Sequence, residues 1–89
     1  MAKELNPIIT LKNNKKISIQ GSRSHHCRPA ADFPKEGYTH YEVGCFCHVY
    51  DNAPYMAQYE YWGIYAKVPK SVVEKYISEN GGIANGCLP

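Results

Sequence analysis

Between residues 39 and 50 the side chains alternate without a break. Thr39, Tyr41, Val43, Cys45, Cys47 and Val49 fall on one side, and His40, Glu42, Gly44, Phe46, His48 and Tyr50 on the other. A strand turns successive side chains to opposite faces, so this run predicts a half-buried strand. The stretch 62–68 repeats the pattern, which assigns Trp62, Ile64, Ala66 and Val68 to the core and Gly63, Tyr65 and Lys67 to the other face. Nearer the start, residues 7–12 and 15–20 flank Asn13 and Asn14, a pair that tolerates the positive φ of tight turns; the pattern predicts a hairpin.

The period then changes. Pro69 suits a first helical turn, Val72, Val73, Tyr76 and Ile77 form an i, i+1, i+4, i+5 stripe, and Asn80-Gly81-Gly82 is a stop signal, so a helix is expected over 69–79. Residues 21–37, rich in Gly, Ser, Arg, His and Pro, follow neither period and are expected to form a long loop. Residues 53–61 fit a short helix carrying Tyr55, Met56 and Tyr59 on one face, or equally a loop or strand, and residues 83–89 read as irregular. These elements predict an α+β fold: a small antiparallel sheet of about four strands with one C-terminal amphipathic helix packed on one face.

Size and charge narrow this further. With 89 residues, 44% of them hydrophobic and 20% charged, the whole chain 1–89 is expected to form a single domain. A domain this small buries only about 60–65% of its unfolded surface, which makes a partner or a homodimer a natural source of extra stability. Ten Lys and Arg against eight Asp and Glu give a net charge of +2. That excludes a strongly acidic mimic of DNA and supplies no strong basic field for holding a duplex. The chain opens without the apolar run of an export signal, and no stretch approaches the roughly 18 apolar residues of a membrane span. A cytoplasmic location without membrane contact is expected, and there Cys27, Cys45, Cys47 and Cys87 would stay as thiols or metal ligands.

Several fragments occur together: Ser18-Ile19-Gln20, then His26-Cys27 followed by Pro29, Tyr38 leading to Glu42-Val43-Gly44, Tyr65 leading to Val68-Pro69 and Val72-Val73-Glu74, and Asn80-Gly81-Gly82-Ile83. In this the chain resembles a group of short bacteriophage and prophage proteins with no established activity, over about residues 17–83. The resemblance implies a viral or mobile-element accessory protein in the host cytoplasm. Small phage proteins of this kind often block host machinery, including CRISPR and other defence systems. Here Gly44 is followed by Cys45-Phe46-Cys47-His48, where the group carries an aromatic residue and a proline, so a role for this second cysteine pair does not carry over.

Three clusters bear on chemistry. Cys27, Cys45, Cys47 and His48, with other histidines close in sequence, have the composition of a tetrahedral zinc site, but Cys45 and Cys47 are separated by one residue on an apolar strand face, and the plainer reading makes them core residues. The segment 21–29 holds both arginines of the chain and two of its four histidines. Arg23, His25, His26 and Arg28, with loop hydroxyls and amides, are candidates for a nucleotide, an RNA backbone or an acidic protein patch; the alternative is an ordinary solvated loop anchored by Cys27 and Pro29. Eleven aromatic residues, eight of them tyrosine, exceed what a small core needs, so Tyr50, Tyr55, Tyr59 and Tyr65 are candidate contact residues.

No constellation supports an enzyme. Cys27 beside His26 lacks the supporting shell of a nucleophile and base, and the carboxylates show no paired spacing. The sequence therefore points to a phage-type protein that binds a host protein or ribonucleoprotein complex stoichiometrically, as an inhibitor of a bacterial defence system such as a CRISPR effector. A nucleotide-binding sponge built on the loop from Arg23 to Arg28 and a zinc-stabilised interaction module are the alternatives.

Overall fold

Residues 5–45 and 53–89 are described by the computed structural model. They form β1 (Ile9–Leu11), β2 (Lys16–Gln20), β3 (His40–Cys45), a 3-10 helix (Pro54–Tyr59), β4 (Glu60–Tyr61), β5 (Ile64–Pro69), α1 (Lys70–Glu79) and β6 (Ile83–Asn85). The fold is α+β, as expected. Its sheet has six strands rather than about four, in the order β4-β5-β3-β2-β1-β6, with every neighbouring pair antiparallel.

The first hairpin follows the sequence. Ile9 stands opposite Ile17, and Asn14 takes φ 72° in the turn while its N–H donates to the Leu11 carbonyl. The Asn13 carboxamide oxygen accepts the Lys15 N–H at 3.1 Å. Ile9, Leu11, Ile17 and Ile19 are fully buried and join Tyr41 and Val43 of β3, Tyr65 and Val68 of β5, and Val73, Tyr76 and Ile77 of α1 in one core. The helix lies against β5 and β3.

Strand β5 departs from simple alternation. Tyr41 pairs with Val68 but Val43 pairs with Tyr65, so two residues of β5, Ala66 and Lys67, stand opposite the single Glu42. This is a β-bulge, with Lys67 at φ 49°, and it shifts the strand's parity by one. Tyr65, expected on the face away from the core, is consequently buried together with Val68. Ile64 and Ala66, expected in the core, are only half-buried.

The stop signal after α1 does more than end the helix. Gly81 and Gly82 take φ near +90°, where a side chain is strained, and their N–H groups donate to the carbonyls of Ser78 and Ile77. Asn80 is buried; its carboxamide donates to Tyr76 O and accepts from the Asn13 side chain at 2.6 Å. This brings Ile83 beside Leu11, so the tail that reads as irregular begins as β6 on β1.

Two tyrosines on the helix side resist ionisation. Burial, then the charges of Glu74 and Tyr38, holds the Tyr41 pKa above its ordinary value; burial, then a 2.6 Å hydrogen bond to Glu79 Oε1 and that residue's charge, raises Tyr55 further. Below about pH 10 these groups are protonated in both folded and unfolded chains and stability is unaffected; above it the unfolded chain releases the protons first, so stability falls. Thermal melts should therefore show Tm dropping above about pH 10. Tyr41→Phe combined with Tyr55→Phe should blunt the drop, and an undiminished drop in that variant contradicts the assignment.

Candidate functional site

The sheet face opposite the core is polar in the middle. Ser18, Gln20 and Glu42 alternate with the buried Ile17, Ile19, Tyr41 and Val43, so they share this second face. Two segments are tied to it. Near β2, the Gln20 carboxamide accepts from Asn6 N at 2.8 Å and donates to Asn6 O at 2.9 Å. Near β3, the loop after Gln20 places two histidines on the Glu42 carboxylate.

Glu42 Oε1 lies 3.0 Å from His26 Nδ1 and accepts the His26 backbone N–H at 3.2 Å, while Oε2 lies 3.9 Å from His25 Nε2. His25 is held from behind, where its Nδ1 lies 2.6 Å from Ser22 Oγ, which also accepts the Ser24 N–H. The loop is fixed at two further points: the Lys67 amide, freed for this purpose by the bulge, donates to His26 O at 2.8 Å, and Arg28 bridges to His40 on β3. Ser22, His25 and Glu42 follow the order of a nucleophile, base and acid. Ser22, however, is 2% exposed and its hydroxyl is occupied by loop contacts, so this network holds the loop in place.

An exposed aromatic rim lies next to it. Tyr61 pairs with Ile64, and the two residues between them, Trp62 and Gly63, both have positive φ, 49° and 88°. That is the pattern of a two-residue hairpin turn, whose preferred occupants are Asn-Gly or Asp-Gly. Here the first position holds the only tryptophan of the chain, 89% exposed. Its ring meets Tyr61 edge-on at 6.4 Å, and Tyr61 meets His26 at 5.2 Å. Strand parity expects Trp62 inside; the turn removes it from the strand and turns it to water. Phe33, also at φ 49° and 75% exposed, adjoins Asp32, whose carboxylate accepts the Arg23 N–H and pairs with its guanidinium.

The candidate residues separate accordingly. Arg23, His25, His26 and Arg28 share the one loop; Tyr65 is in the core; Tyr59 is half-buried against the core; Tyr55 lies on the helix side, under Lys75 and bonded to Glu79. Cys27 is a buried free thiol that donates to Ser22 O at 3.1 Å. The side chain of Cys45, together with Cys47, His48 and Tyr50, lies outside the described residues. Among the described residues no three His, Cys, Asp or Glu side chains converge as a metal cage. An open cleft of about 450 Å³ between α1 and the tail, lined by Ile77, Ile83 and Leu88, involves none of the candidates. Tyr61 and Trp62 belong to the aromatic cluster of the sequence, and the structure leaves both exposed where alternation puts Trp62 in the core. The signal for them was the Trp62-Gly63 pair between two strand-like runs.

Glu42 should control the loop. Glu42→Ala removes the acceptor of the His26 backbone amide, the 3.0 Å partner of the His26 ring and the 3.9 Å neighbour of the His25 ring, a loss of about 0.5–1.5 kcal/mol for each hydrogen bond. Hydrogen exchange should then quicken at the His26 and Lys67 amides while Ile17 and Ile19 in the core stay protected. Unchanged exchange at His26 contradicts the latch.

No protein-family model matches the chain, and no curated protein or solved structure is detectably similar to it. Among the described residues no helix is long and apolar enough to cross a membrane.

Proposed function

We propose that the chain is a phage-encoded accessory protein of the host cytoplasm that acts by stoichiometric binding, with His26, Tyr61 and Trp62 as its contact surface. The observation that carries this reading is Trp62. A tryptophan at a positive-φ turn position, 89% exposed, contributes little to the fold and costs it strain, and such strain collects at functional sites. Tryptophan and tyrosine are also the residues most enriched at binding hot spots. With α1 taken as the cover of one sheet face, the latched loop and the aromatic rim belong to the other.

The target class, a bacterial defence complex such as a CRISPR effector, follows from the resemblance to small phage proteins and from the size of the domain. A sponge that cradles a nucleotide within the loop is less favoured, because Glu42 and Asp32 already engage His25, His26 and Arg23 and leave Arg28 as the loop's exposed cation with no ion pair among the described residues. The zinc alternative turns on Cys45, Cys47 and His48, whose side chains lie outside the described residues. The test is titration of purified defence effectors with the protein, read by native mass spectrometry and by effector activity. A saturable stoichiometric complex with loss of effector activity is expected. Unaltered activity of every effector, with no complex formed, sinks the reading.

A further inference from the structure

Accepting that binding reading, we infer that the rim's partner is a single strand of nucleic acid, whose bases stack on Trp62 and Tyr61 and whose phosphates meet Lys67 and Arg28. The charges that face water select the partner. Pairing of Glu60 with Tyr65 and of Tyr61 with Ile64 puts Glu60 on the opposite side of the hairpin from Tyr61. Glu42 shares the face of Tyr61, but its side chain is only 17% exposed and is taken up by two imidazoles; Asp32, equally covered, is taken up by Arg23. Among the described residues, the two carboxylates that contact the loop are thus partly covered and already engaged.

The cations are left outside. Lys67 stands opposite Glu42 in the bulge and is exposed, with its amide bonded to His26 O; Arg28, two residues from His26, is exposed as well. Two exposed aromatic rings with centroids 6.4 Å apart, a half-exposed imidazole beside one of them and exposed cations on the same loop and strand make the combination that holds single strands, in which every base offers a face for stacking and the backbone follows positive charge. A duplex hides its base faces. The +2 net charge also suits a short local contact better than a long duplex track.

The test is fluorescence anisotropy of labelled oligouridylate, oligothymidylate and a mixed-sequence duplex with the intact protein, repeated with Trp62→Asn and with Lys67→Asn combined with Arg28→Gln. Asparagine is chosen because it tolerates the left-handed backbone at positions 62 and 67. Both single strands should bind and quench Trp62, and the duplex should bind at least about tenfold more weakly. Trp62→Asn should weaken single-strand binding by about tenfold or more, and the cation variant should flatten the salt dependence, which runs at about 0.7 in log–log slope per phosphate on single strands. Absence of binding to either single strand, or binding that Trp62→Asn leaves unchanged, overturns the inference. If, in addition, a nuclease-treated effector still binds in a Trp62-dependent way, the contact is to protein and the binding reading stands; if the effector binds Trp62→Asn as well as the unaltered protein, that reading falls too.

Discussion

Replacing Tyr41 by alanine should bring the protein close to unfolding. Tyr41 is 1% exposed, sits mid-sheet opposite Val68 at the bulge, packs against the Tyr38 ring at 5.8 Å and donates a hydrogen bond to Pro89 O. Truncating a buried aromatic removes about 3–5 kcal/mol, through lost transfer energy and the cavity left behind. Small domains have only about 5–15 kcal/mol in total. The loss should be met by neither α1 nor the sheet, because both are held by their own hydrogen bonds while the gap lies between them. Tyr41→Phe keeps the ring and loses one hydrogen bond, for about 0.5–1.5 kcal/mol. Urea unfolding of the two variants checks this, and near-equal midpoints contradict the placement of Tyr41 at the centre of the core.

Trp62→Asn should have the opposite profile. At a turn with positive φ at both central residues, asparagine relieves strain of order 1 kcal/mol, and a side chain that is 89% exposed takes little packing with it. The variant should therefore melt at the same temperature as the unaltered protein or a few degrees higher. Its binding should fall by at least about tenfold, the range expected of a tryptophan hot spot. Stability and binding moving in opposite directions distinguish a residue kept for contact from one kept for folding. A marked fall in Tm would instead place Trp62 in the core, as its strand parity suggested.

That contrast also locates what the sequence made legible. The β1–β2 hairpin, the start of β3 and α1 were readable because each rests on a local period or a turn pair such as Asn13-Asn14 or Asn80-Gly81-Gly82. Strand β6 was not, since three residues are too few to show alternation and its partner β1 lies more than seventy residues away in the chain. The bulge at Ala66 and Lys67 was invisible for a different reason: neither residue type marks an extra position, and the shift appears only in the pairing of Tyr41 and Val43 with Val68 and Tyr65. Tyr65 was consequently assigned to the outer face, while Trp62 was assigned to the core because the turn that removes it from the strand carries no Asn-Gly or Asp-Gly signature. The loop carrying Arg23, His25, His26 and Arg28 was recognised as distinctive, but its anchor Glu42, sixteen residues after His26, had no local signature.

Since Trp62 is the only tryptophan, its emission reports on the proposed contact alone. The most direct measurement is iodide quenching of that emission while a purified defence effector, produced with a non-fluorescent tryptophan analogue, is titrated in. The free protein should show water-like emission and ready quenching, and quenching should be lost with a saturation that follows complex formation. Emission shielded from the start, or a complex in which Trp62 stays as open to iodide as before, contradicts the proposed contact.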